Sequence, residues 1–278
     1  MYLKSFNTNF YIKEIIFFTI LYIGLLVGFY FNENSTGGAY LDYISQKVNT
    51  KSFSEDFLYT LLNYDNFSTR HSPILSILLS FFEKLNFKDY LIRFIHLNFC
   101  LILPLIFYKS LKLKFKDADK KVLLLLVGLI FLSPTFRSLA IWPDSRLLGL
   151  TLFTFSIYYY LKFEQNKKFK DCILNIIFYT LASYTSPNFS VFSIFFVFKY
   201  ISYYKLNSKI LIIVLSNILL SLPAFYYLFV LDVNFLTKSA KIGFQAKENI
   251  FFNNLSNQIL IIPSIIFFYL IPFFATKV

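Results

Sequence analysis

The stretch Cys172-Ile-Leu-Asn-Ile-Ile-Phe-Tyr-Thr-Leu-Ala-Ser-Tyr-Thr185-Ser186-Pro187-Asn188-Phe-Ser-Val-Phe-Ser-Ile-Phe-Phe-Val-Phe198 runs for 27 residues without a charge. Read as one helix, it crosses a bilayer once. Read as two, it crosses twice and reverses the side of everything after it. Thr185-Ser186-Pro187-Asn188 argues for two, because proline removes a backbone donor and Ser and Asn favour turns. Lysine placement gives the same answer. With a turn at 185–188, Lys205 and Lys209 share a side with Lys162, Lys167, Lys168 and Lys170, and cytoplasmic loops collect lysine.

Further apolar runs flank this stretch. The candidate spans are 15–31, 90–108, 122–136, 147–161, 172–185, 188–204, 210–231 and 259–275. The chain is 57% hydrophobic and 22% aromatic, with 15% charged residues and a mean hydropathy of +0.59. A soluble domain carries about 25% charge, so a water-soluble globule is excluded as the reading. The net charge of +12 belongs to lysine-rich inner loops and not to a nucleic-acid surface. Cys100 and Cys172 both lie in apolar runs and read as buried small side chains. The run from Ile15 to Phe31 follows Lys4 and Lys13 and lacks a small-x-small cleavage site after it, so it reads as an uncleaved anchor.

These features predict an all-α polytopic membrane protein of about eight transmembrane helices, forming a single domain over 1–278. With the N-terminus inside, the inner segments are 1–14, 109–121, 162–171, 205–209 and 276–278. The outer face holds loops 32–89, 137–146 and 232–258 and the turn at 185–188. The apolar segment Ile74 to Leu85 is too short to span. Ser76, Ser80 and Glu83 recur at helical spacing along it, which predicts an interfacial helix with a wetted polar stripe.

Two polar segments then open on the same side. One runs from Gly37-Gly38-Ala39-Tyr40-Leu41-Asp42 to Arg70-His71-Ser72-Pro73. The other is Arg137-Ser-Leu-Ala-Ile-Trp142-Pro143-Asp144-Ser145-Arg146. Charges beside a bilayer are expensive and usually have a task. Asp42 follows two glycines that permit a turn, and it can act either as a general base or as a solvated loop acid. Glu33, Glu55, Asp56 and Asp65 are its rivals. Arg70 and His71 precede a helix start, a place that favours anions. Arg137, Asp144 and Arg146 form either a structural ion pair beside an interfacial Trp142 or an anion site in which Asp144 orients an arginine. Arg93 and His96 lie one turn apart, with His96 read as a helix contact. With two histidines in the chain, a multi-histidine metal site is excluded, and no glycine-rich phosphate loop is present.

The order of these elements resembles the GT-C superfamily of polytopic glycosyltransferases, which includes protein O-mannosyltransferases and aminoarabinose transferases. The matching elements are Asp42, Arg70-His71-Ser72-Pro73, Arg93, and Ser133-Pro134 leading to Asp144, over about 15–205. The helix start carries Ser72-Pro73 where the family favours a proline pair. Many relatives carry more spans and a soluble C-terminal domain.

The resemblance implies transfer of a sugar from a polyprenyl-phosphate-linked donor to a lipid, glycan or protein acceptor at the outer face of the bacterial cytoplasmic membrane. Asp42 or Asp144 would be the catalytic carboxylate, and Arg70, His71, Arg93, Arg137 and Arg146 would bind substrate. No cofactor, metal or nucleic acid is expected. The alternative is a non-enzymatic lipid-linked glycan transporter or a membrane scaffold subunit.

Overall fold

The computed structural model describes residues 8–67, 71–205, 207–231, 233, 263 and 264, with 8–14 described by backbone alone. Arg70 and most of the predicted loop 232–258 and span 259–275 lie outside the described residues. The chain divides into two compact units, Met1–Val233 and Asn234–Val278. The elements below all belong to the first.

Every regular element among the described residues is helical. Helix α1 (Thr8–Tyr30) carries the apolar stretch Ile15–Tyr30. Helices α2 (Ala39–Glu55), α3 (Phe57–Leu62) and α4 (Pro73–Lys84) follow. Helices α5 (Asp89–Cys100) and α6 (Ile102–Lys114) join into a continuous 26-residue apolar helix. Helices α7 (Lys120–Leu132) and α8 (Pro134–Ile141) come next, then α9 (Ser145–Asn166) and α10 (Phe169–Thr185). The last are α11 (Phe192–Tyr204) and α12 (Ser208–Phe225), which a π turn extends to Val230.

Two of these segments, Asp89–Lys114 and Ser208–Val230, are long and apolar enough to cross a membrane. The pair α7 and α8 makes a third if it is taken as one broken span. The molecule is therefore an all-helical protein of membrane character. The run 122–136 is not the straight span expected from the sequence. Its helix stops at Leu132 and restarts at Pro134 with a 60° bend. The cause is local: Pro134 cannot donate, and Ser133 turns extended (φ −67°, ψ 120°) to cap α8 through its side chain.

The uncharged 172–198 stretch is two helices. Helix α10 ends at Thr185, Ser186 is extended (φ −142°, ψ 103°), and a 3₁₀ turn over Pro187–Val191 leads into α11. Helices α9 and α10 come very close where Gly149 faces Ala182 and Ser186. A Cβ on Gly149 would sit 2.9 Å from that of Ser186. Small residues of this kind let apolar helices approach without a cavity. Apolar residues gather in two clusters. One lies among α1, α2, α4, α5 and α8, centred on Leu25, Leu97 and Ile141. The other lies among α9 to α12, centred on Ile176, Tyr200 and Ile213.

Two features of the segment 32–89 differ from expectation. Most of it is helix, and α2 has no apolar stripe to announce it, because its buried face includes Asp42, Gln46, Asn49 and Thr50. Helix α4 lies where the interfacial helix was predicted, capped by Ser72 with Pro73 in its first turn. Its serines, however, turn inward. Ser76 and Ser80 are buried, and Ser76 Oγ donates to the Gln46 carbonyl of α2 at 3.5 Å, while Leu78 and Phe81 are exposed. A serine stripe is narrow enough to sit against a neighbouring backbone, and α2 supplies that backbone.

Candidate functional site

The two polar segments meet. Asp42 stands in the first turn of α2, and Asp144 caps the N-terminus of α9. Between them lies the guanidinium of Arg146. Its Nη2 donates to Asp42 Oδ2 at 2.7 Å and to Asp144 Oδ2 at 2.7 Å, and its Nε donates to Asp144 Oδ1 at 2.9 Å. Asp144 Oδ1 also accepts the Arg146 backbone N–H at 2.7 Å, the capping bond that starts α9. His71 approaches from the segment before α4, with Nε2 3.5 Å from Asp42 Oδ1.

Exposure separates the two acids. Asp144 is fully buried, with both oxygens occupied by Arg146. Asp42 keeps a small accessible edge, at 9% exposure. The Arg146 side chain is half exposed, so its guanidinium can exchange one partner for another. The neighbouring carboxylates push the Arg146 pKa further up, with the Asp144 hydrogen bonds as the leading cause. The group thus stays a full cation, suited to an arriving anion.

Arg137 does not join this cluster. It forms a separate bidentate pair with Glu33, at 2.8 and 3.0 Å from Nε and 2.5 Å from Nη2, and Nη2 also donates to the Gly24 carbonyl of α1 at 3.0 Å. This pair lies against α1 at Gly28. A Cβ there would collide with the Glu33 carboxylate and lie 2.8 Å from Arg137 Nη2. Arg137 holds the Glu33 carboxyl below its ordinary value of 4.5. Fork-to-fork pairing of this type fixes geometry. Here it ties the loop after α1 to α8.

Arg93 also stands apart from the cluster. It lies beneath an open cleft of 590 Å³ lined by Asn32, Asn34, Tyr40, Tyr43, Lys47, Asp89 and Trp142 among others, and Asp42 is not part of that lining. Its guanidinium stacks 3.5 Å from the Trp142 ring centroid, donates from Nη2 to Asn32 Oδ1 at 2.9 Å, and donates from Nε to the Ile141 carbonyl at 3.2 Å. Trp142, expected as an interfacial anchor, is buried and donates its indole N–H to the Glu33 carbonyl at 3.0 Å. His96 Nε2 lies 3.1 Å from the Leu139 carbonyl, a contact between α5 and α8. Cys100 and Cys172 are buried free thiols.

Of the predicted site residues, the fold gathers Asp42, His71, Asp144 and Arg146 and places Arg137 and Arg93 elsewhere. Arg70 lies outside the described residues. Lys47 and Asp89, an ion pair at 2.6 Å in the cleft wall, carried no signal in the sequence, since each looks like an ordinary loop charge. Among the described residues no three His, Cys, Asp or Glu side chains stand so as to hold a metal ion. The chain matches no protein-family model, no characterised protein and no solved structure in the comparisons made.

Proposed function

We propose that this protein is a membrane glycosyltransferase that moves a sugar from a polyprenyl-phosphate-linked donor to an acceptor hydroxyl at the outer face of the bacterial cytoplasmic membrane. One observation carries the reading. Asp42 and Arg146, 104 residues apart in sequence, share a hydrogen bond beside His71, with Asp42 only 9% exposed. Buried ion clusters also serve structure alone, but a half-exposed arginine held against a barely accessible acid offers a cation to a departing phosphate and a carboxylate to an acceptor hydroxyl.

In this reading the donor phosphate draws the Arg146 guanidinium away from Asp42. That frees the Asp42 carboxylate to act as general base. The acceptor oxygen forms a bond to the anomeric carbon as its proton passes to Asp42. The bond from that carbon to the phosphate oxygen breaks, and the electron pair leaves with polyprenyl phosphate. Arg146 and His71 meet the charge growing on that phosphate. Asp144, with no free oxygen, acts as a positioning residue that aims Arg146. Eight membrane crossings with the N-terminus inside would put this corner on the outer face, and the aromatic helices would receive the prenyl chain.

The test compares envelope glycans and glycolipids by mass spectrometry in cells lacking the gene. The cells are rescued with wild type, Asp42→Asn or Asp144→Asn at matched membrane levels. A glycan restored by wild type, lost with Asp42→Asn and reduced with Asp144→Asn is the expected result. Restoration by both variants would sink the catalytic reading and move the weight to a transporter or scaffold.

A further inference from the structure

Where α9 packs against α10, three side-chain oxygens are buried without a partner. Asp171, in the first turn of α10, is 3% exposed, and Asn175 of α10 and Ser156 of α9 are fully buried. Asp171 Oδ2, Asn175 Oδ1 and Ser156 Oγ make no hydrogen bond among the described residues. A buried polar atom left unmet is costly, and one on a charged group more so.

The three belong to one place. Asn175 Nδ2 donates to the Ser156 carbonyl at 2.8 Å, so the amide reaches the residue that carries the serine oxygen. Asp171 and Asn175 are four residues apart on one helix and share a face, which brings their Cβ atoms to about 5–6 Å. With its nitrogen committed, the Asn175 amide offers only an acceptor, and a carboxylate oxygen is an acceptor as well. Ser156 departs from its neighbours on α9. Thr151 and Thr154 each donate to the carbonyl four residues back at 2.8 Å, the usual resort of a hydroxyl in a helix, and Ser156 does not.

Lys162 meets the other side of the acid. Its Nζ lies 3.8 Å from Asp171 Oδ1, and about 6 Å from the ring centres of Tyr158 and Tyr159, with the side chain half exposed. The lysine therefore balances the carboxylate from its accessible edge and leaves the buried Oδ2 to another partner. All three unmet atoms are oxygens, the ligands that hard cations take. One carboxylate that already has a lysine beside it, joined by two neutral oxygens, suits a single positive charge and not two.

We propose that Asp171 Oδ2, Asn175 Oδ1 and Ser156 Oγ bind a monovalent alkali cation between α9 and α10. The ion ties the two helices together at the end marked by Lys162, Lys167, Lys168 and Lys170. This site is separate from the Asp42 corner and stands whether or not the transferase reading holds.

The full-length protein in detergent would be melted in the chlorides of lithium, sodium, potassium and choline at equal ionic strength. The expected result is a higher midpoint with an alkali cation than with choline, the responding salt naming the ion. Above saturation the midpoint should rise by about 3–5 °C for each tenfold increase in that ion. Equilibrium dialysis with elemental analysis should find the same ion retained by the protein. Asp171→Asn should abolish both effects. Ser156→Ala, a small change that keeps the charge, should weaken binding about tenfold while the melt in choline stays that of wild type, and it decides the matter should Asp171→Asn fail to fold. Equal midpoints in all four salts with no retained ion would overturn the proposal and leave the place to water. So would an undiminished response in Ser156→Ala.

Discussion

At the scale of single residues, neighbouring arginines in one short loop do different work. Arg137 and Arg146 are nine positions apart, yet one ties α1 to α8 and the other bridges two acids from distant segments. The Arg137–Glu33 pair makes a prediction of its own. The Glu33 carboxyl is held below its ordinary value of 4.5 in the folded state. Its contribution to stability is therefore fully present above about pH 4.5 and is lost as pH falls through the depressed value. Thermal melts of the detergent-solubilised protein should show acid destabilisation below pH 4.5 that Glu33→Gln reduces. At pH 7 Arg137→Ala should cost about 2 kcal/mol, because it leaves a half-buried carboxylate with fewer donors. An unchanged pH profile in Glu33→Gln would mean that the pair contributes nothing.

At the scale of elements, the helices with apolar stripes were easy to foresee and α2 was not. Periodicity in hydrophobic residues signals an element whose buried face is apolar. The buried face of α2 carries Asp42, Gln46, Asn49 and Thr50, so its periodic signal is that of a polar loop. The serines of α4 misled in the opposite sense, since their spacing was right but their direction was set by α2. The α9–α10 contact offers a test of how closely elements are fitted. Gly149→Val should lower stability by about 1–3 kcal/mol, because the new branches meet Ser186 and Phe189 in a contact that has no slack. Loss of thermal stability in Gly149→Val, with little change in Gly38→Ser at an open site of ordinary backbone (φ −96°), would support that fit. Equal melting temperatures for Gly149→Val and wild type would refute it.

At the scale of the whole molecule, orientation in the membrane is the decisive property. Lysines at 109, 112, 114, 116, 120 and 121 mark one side, and the Asp42 corner should face the other. The two native thiols are buried, so Cys100→Ala and Cys172→Ala give a background for labelling. In that background a cysteine at position 34 should react with an impermeant maleimide added to intact spheroplasts. One at position 117 should react only after permeabilisation. The reverse pattern would place the corner inside and remove the outer-face chemistry proposed for it.

By itself the sequence determined that the chain is helical and of membrane character, where its long uncharged run breaks, and which two polar segments hold the charges. These follow from local quantities: hydropathy over a window, the missing donor of Pro187, and the cost of charge beside lipid. Ordering by sequence also put Asp42 with Asp144 and Arg146. Partner choice was beyond it. That Arg146 and not Arg137 bridges to Asp42, that Trp142 turns inward over Arg93, and that Lys47 and Asp89 wall a cleft all depend on how α2 is set against α4, α5 and α8. Tertiary structure decided these because an ion pair forms where two side chains can reach each other, and for residues some forty to a hundred apart only the folded chain fixes that distance.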